Sequence, residues 1–232
     1  IVIRGSAFHG NSADNARDQR YGVYVVGREA LIEDNDFWRT NGTGSVGHGV
    51  YVDTDGSVTL AGNTAWRQGW TAFHVDADNR IVAYDNVAYD SADGFWFQGD
   101  WSSTSVHDNE AYGTDQGFYV NGGSGTYGNL VAHDNNRGLE TGTSFGGVVT
   151  NLRSWSNNEH GVWMRSGELR ESRLYGNAST GIRYDAGGVR IRDNVTYSNA
   201  YGIYGSSYYG TTWIENNVVY ANSSAGIRLD GV

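Results

Sequence analysis

The stretch GIRYDAGGVRIRDNVTYSNAY, residues 181–201, is the unit from which the rest of the chain is copied; at Gly202 the pattern restarts as GIYG. Apolar Ile182 and Tyr184 alternate with Arg183, a polar turn follows, and a second alternation runs through Val189 and Ile191. The trio Asn194, Tyr197 and Asn199 closes the unit. Alternation over so few residues predicts short strands, and the Gly and Asn between them predict turns. One unit is therefore about three short strands with three bends. Its apolar side has only another copy of itself to pack against.

Aligned on the opening Gly, the copies begin at Gly22, Gly49, Ala72, Gly94, Gly117, Gly138, Gly161, Gly181, Gly202 and Gly226, a mean spacing near 22.7 residues. The next residue is always apolar, from Val23 to Ile227. A second column reads Asn35, Asn63, Asn86, Asn109, Leu130, Leu152, Ser172, Asn194, Asn217. Three residues after each of these comes an aromatic or His, from Trp38 to Tyr220. Fixed-period self-similarity is the signature of a solenoid. No i, i+3, i+4 stripe supports helical repeats. The chain is Leu-poor, against leucine-rich repeats, and propeller blades are about twice as long.

The recurrent apolar-x-x-Asn-x-(Ala/Val/Phe)-aromatic…Gly-(Ile/Val/Phe)-x-apolar unit resembles the right-handed parallel β-helix repeat proteins of the pectin-lyase-like superfamily, over nearly the whole chain. The resemblance implies an all-β solenoid of about ten coils, roughly 22–23 residues each, forming one domain over residues 1–232. Stacked coils would place the Asn column in a side-chain ladder at one bend, interrupted at Leu130 and Leu152. Both ends read as cut, which suggests a segment of a longer chain whose flanking domains or end-to-end contacts cap the coil.

Composition narrows the function. With 26 acids against 16 basic residues, all Arg, the net charge is −10. General nucleic-acid or anionic-membrane binding needs a basic surface and is disfavoured. No apolar run approaches ~20 residues, so no membrane insertion is expected. Pro and Cys are absent, so no disulfide framework exists. Two connections, residues 11–21 and 41–48, exceed the standard bend and lie near one edge of the first three coils, where function tends to sit.

On the strand that opens each coil, positions one and three after Gly point inward, so positions two and four point outward. The outward columns carry Tyr24, Tyr51, His74, Trp96, Tyr119 and Trp163, then Asp53, Asp76, Gln98, Asn121 and Arg165. A contiguous aromatic stripe with polar flanks suits sugar rings, although stacked rings also stabilise a sheet. The second aromatic column, Trp38 to Tyr220, persists in every coil and reads as architecture. Asp53, Asp55, Asp76, Asp78 and Asp100 form the densest ionisable cluster. Asp-x-Asp pairs suit a hard cation such as Ca²⁺, two carboxylates ~5 Å apart suit a retaining glycosidase, and acidic residues also suit turns. His74 is the one outward His of these columns and can act as a base. His48 and His160, which precede their Gly residues, read as bend residues. Arg165 and Arg183 either meet anionic sugars or pair with Glu140 and Asp185.

The family resemblance implies motifs that can be checked. Gly47-His48-Gly49 matches part of the pectin-cleaving glycosidase pattern, but its Asn-Thr-Asp and Asp-Asp elements are missing. The Asp-Pro-His motif of the uronate epimerases is impossible without Pro, and a Lys base is unavailable. Three functions stay open. One is a secreted, polysaccharide-binding or polysaccharide-active protein, lyase- or epimerase-like on a uronate-containing glycan, with His74 as base, Tyr51 as proton donor and the Asp cluster holding a cation. The second is a non-catalytic adhesion or structural segment of a large surface protein. The third is a retaining glycosidase using Asp53 and Asp76. All place the chain extracellularly or at the cell surface, with a polysaccharide partner and no organic cofactor.

Overall fold

A computed structural model describes residues 1–10, 20–39, 47–99, 104–206 and 210–231. The chain winds as a parallel β-solenoid, with no helix among the described residues. Each coil contributes three strands, exemplified by Thr71–Ala77, Arg80–Tyr84 and Val87–Tyr89. First and second strands join in one 18-stranded sheet, because Tyr21–Glu33 and His48–Ala61 each run through both. Third strands form a separate ten-stranded sheet.

All pairings are parallel, and they are in register except for one shift between Gly27 and Glu29, where Tyr21–Glu33 pairs with His48–Ala61. Val23 faces Val50, then Phe73, Phe95, Phe118, Leu139, Val162, Ile182, Ile203 and Ile227. This is the apolar column that follows each Gly, and from Val50 to Ile203 its members are fully buried. In the middle coils the inward residues of the third strands are small, Ala65, Ala88, Ala111 and Ala132, which lets the two sheets close on the Phe stack there. The Gly column has a steric cause. A Cβ on Gly181 would stand 2.8 Å from the carbonyl oxygen of Gly202 and 2.9 Å from Asn199 Nδ2.

The bends contain two amide ladders. In the first, Asn35, Asn63 and Asn86 each donate Nδ2 to the Oδ1 of the next coil's Asn at 2.9–3.0 Å, ending on Asn109. Leu130 and Leu152 then occupy the column as buried apolar residues, as the sequence predicts. The second ladder, five residues later in each coil, was not anticipated. It runs Asn135, Asn157, Asn177, Asn199, Asn222, and each Oδ1 accepts the backbone N–H of the residue one coil back. It is all-Asn where the first is broken, so every coil has at least one amide-locked bend. Each bend turns on a residue at positive φ, such as Asp85, Asp108 and Asn129 at one and Asp90, Asp134 and Ser156 at the other. Asp and Asn tolerate that conformation better than most side chains.

Asn157 donates to Asn177 Oδ1 and Ser154 Oγ and accepts from Asn135 N, all in the interior. Truncating it strands several buried groups, each costing about 1–3 kcal/mol. Asn157→Ala is expected to lower the chemical denaturation midpoint by an amount equivalent to about 2–4 kcal/mol, measured against Asn158→Ala on the exposed neighbouring position.

Candidate functional site

The outer face of the first strands carries the site. At each opening Gly the alternation fails: Gly49 and Val50, Gly94 and Phe95, and Gly117 and Phe118 are buried in succession. The residue before the Gly is thereby returned to the same outer face as the second residue after it. Two rows then run side by side along the solenoid.

One row is the expected stripe. Tyr24, Tyr51, His74 and Trp96 stack at centroid separations of 5.5, 4.6 and 5.8 Å, and Tyr119 lies 4.1 Å from Trp96. The other row is Tyr21, His48 and Trp70, stacked at 5.6 and 5.4 Å. The rows meet edge to face, with His48 5.2 Å from Tyr51 and 5.3 Å from His74. Between and above them lies a groove of about 370 Å³ lined by both rows and Thr71. His48 is thus no bend residue: it opens the strand His48–Ala61 and forms part of the groove floor. Tyr21, Trp70 and Thr71 were also missed: the aromatic or His recurring just before Gly at Tyr21, His48, His160 and Tyr201 could have found Tyr21, whereas Trp70 stands two residues before Ala72 and Thr71 carries no ring.

The groove floor holds polar groups without partners among the described residues. His48 Nδ1 and Thr71 Oγ1 are buried and unpaired, on residues only 8% and 0% exposed. Burial lowers the His48 pKa to about 4; burial and then His48 lower His74 to about 4. Both imidazoles are therefore neutral at pH 7. Burial, followed by the charges of Asp53 and Asp76, raises the Tyr51 phenol, which stays protonated.

Asp53 and Asp76 sit side by side in register, and Asp76 continues into Gln98 and Asn121. Burial, then Asp53 and Asp78, pushes the Asp76 pKa up. Trp96 Nε1 donates to Gln98 Oε1 at 3.3 Å. Asp55 and Asp78 are exposed, and Asp100 lies outside the described residues. Among the described residues, no three carboxylates or imidazoles gather into a group that could hold a metal. Most of the two long connections, residues 11–19 and 41–46, also lies outside them.

Trp163 and Arg165 belong to a different cluster on the same face, past Glu140. Arg165 Nη2 pairs with Glu140 Oε1 at 2.9 Å, as expected, whereas Asp185 accepts the Trp163 indole N–H at 3.0 Å. Arg183 turns instead to His160, which opens the strand His160–Met164 and is likewise no bend residue.

A parallel solenoid with an aromatic groove on its first-strand face defines a class. A family profile described as "Right handed beta helix region" matches residues 1–151, and the chain belongs to that family. The same coil continues beyond the match to Asp230. The fold is similar to that of the periplasmic alginate epimerase AlgG, seen as a double mutant: TM-score 0.57 at 13% identity, covering 89% of this chain and 70% of that one. No curated protein matches the chain.

The depressed histidines make a pH prediction. An imidazole with a folded pKa of about 4 against an ordinary 6.5 contributes stability that is complete above about 6.5. It is lost progressively as pH falls toward 4, because the unfolded chain takes up the proton first. In an NMR titration His48 and His74 should titrate near pH 4, and His74→Phe should flatten the fall in melting temperature between about pH 7 and pH 5.

Proposed function

We propose that the protein binds a polysaccharide lengthwise on its first-strand face, outside the cytoplasm. The observation that carries this is the two-row aromatic groove with unpartnered His48 Nδ1 and Thr71 Oγ1 in its floor. The outward edges of the stacked rings line an apolar trough for sugar C–H groups, and unpaired buried polar atoms suit hydroxyl groups. Support comes also from the structural neighbour, a periplasmic enzyme named for alginate. Losing one stacked ring costs on the order of 1–2 kcal/mol, a factor of roughly five to thirty. Trp96→Ala should weaken retention on a glycan array or in isothermal titration by that factor, while Trp38→Ala, on the opposite ladder, leaves binding unchanged. Equal binding by Trp96→Ala and parent sinks the reading.

A second reading adds chemistry at the same place. Tyr51 and His74 stack at 4.6 Å in the groove, one a protonated phenol and the other a neutral imidazole. Such a pair can donate to a leaving oxygen and accept a proton alpha to a uronate carboxylate. The low His74 basicity weakens that base, and Asp53 with Asp76, one strand spacing apart (~4.8 Å), offers a retaining carboxylate pair instead. A Ca²⁺ at the Asp row would need Asp100. Uronans incubated with the protein and followed for unsaturated products and for new reducing ends separate lyase from hydrolase. The lyase reading requires His74→Ala and Tyr51→Phe to abolish the unsaturated product; the hydrolase reading requires Asp53→Asn or Asp76→Asn to abolish the reducing ends.

A further inference from the structure

We infer that the cluster built on Trp163 is a carboxylate subsite for an acidic glycan whose charged sugars are spaced along an otherwise neutral chain. The inference rests on the groove being a glycan platform and adds where the charge sits.

Three guanidiniums converge there and are unequally served: besides Glu140, Arg137 meets Asp115 at 3.4 Å through Nη2 and Glu159 at 4.0 Å through Nε. Glu140, only 4% exposed, accepts from Arg137 Nη1 at 2.6 Å, Arg165 Nη2 at 2.9 Å and Gln116 Nε2 at 2.8 Å. Asp185 is engaged by the Trp163 indole. Arg183 forms no ion pair among the described residues; its Nη1 lies 3.0 Å from His160 Nε2. A guanidinium can only donate, so Nε2 accepts and the proton of the neutral imidazole sits on Nδ1. That Nδ1–H has no acceptor, and neither do the Nε–H groups of Arg137, Arg165 and Arg183. Arg137 and Arg165 are thus met by carboxylates and Arg183 is not. What Arg183 lacks is an oxyanion.

It is also preorganised to receive one. Arg165 and Arg183 lie 4.3 and 4.5 Å from the Trp163 ring centre. Guanidiniums stacked on an aromatic ring keep their planar forks, which match a carboxylate bidentately. Trp163 lies in the row of the groove rings, reached through Trp96, Tyr119 and Glu140. Three strand spacings put it about 14 Å beyond Trp96.

The intervening and flanking charges set the pattern of the ligand. Beside the groove rings the same face carries Asp53 and Asp76. A uronate there would meet like charge, and neutral sugar would not. A chain charged at every residue therefore fits one end of the face and is repelled at the other. A chain with one uronate every few sugars fits both.

Isothermal titration with gellan, which bears one uronate per four sugars, with carboxyl-reduced gellan and with alginate tests this. The parent should bind gellan at least about tenfold more tightly than the reduced polymer, with affinity falling as salt rises. Gellan should also outcompete alginate. Arg183→Gln, checked for folding by its melting curve, should bring gellan down to the affinity of the reduced polymer and leave the reduced polymer's own affinity unchanged. If Arg183→Gln binds gellan like the parent while Trp96→Ala loses both polymers, the subsite is wrong and the groove stands. Tighter binding of alginate than gellan overturns the spacing. If the parent binds no polymer, subsite and groove fall together.

Discussion

The whole molecule depends on parallel strands repeating in register at one strand spacing. Each residue then meets its own counterpart one coil away, so an advantage at one position is multiplied along the axis. Asn suits that demand because its side chain both donates and accepts, and a column of Asn can satisfy itself indefinitely. The two amide ladders are the buried polar consequence, and their alternation past Leu130 and Leu152 keeps the bends locked from end to end. Phe73, Phe95 and Phe118 are the apolar consequence, stacked at 5.0 and 4.8 Å inside the coil.

The same rule acts on the outside, and there it yields two ladders with different histories. On the third-strand sheet the rings from His9 to Tyr220 stack without interruption, nine contacts between 4.5 and 5.8 Å. Ring follows ring in every coil, with Trp, Tyr and His exchanging places but never giving way to a non-ring residue, which is what an architectural stripe should show. On the first-strand face the composition changes along the axis. Rings in two rows give way to Glu140, then to Trp163 and its arginines. A surface that departs from the repeat has been shaped by something other than the repeat. That departure is the reason the proposed binding site is placed here, and the neutrality of His48 and His74 accords with uncharged sugar in its first part.

The fold was legible because it is written ten times: a Gly (Ala at 72), an apolar residue and an aromatic or His recurring about every 22–23 residues admit few architectures. Half of the site was legible for the same reason, since Tyr24, Tyr51, His74, Trp96 and Tyr119 follow strand alternation from the Gly. The other half was hidden by the Gly itself. Two inward positions in succession shift the alternation by one, and His48 and His160 emerge on the outer face rather than at a bend. The second amide ladder was obscured differently, because Gln68, Ser91 and Thr114 fill its early positions before Asn takes over at Asn135. The partner of Arg183 could not be read either: Asp185 is closer in sequence, but the indole of Trp163 claims it.

The central claim is that the two outer ladders differ in kind, one holding the coil and the other holding a ligand. Chemical-shift mapping of the isotope-labelled protein with a uronate-containing oligosaccharide addresses both ladders in one experiment. The account predicts that the indole and backbone signals of Trp96 and Trp163, with their neighbours from Tyr21 to Arg183 on the first-strand face, move with added sugar. Those of Trp38, Trp66 and Trp155 on the third-strand sheet should stay fixed. Shifts confined to the third-strand ladder, or spread equally over both, would contradict it.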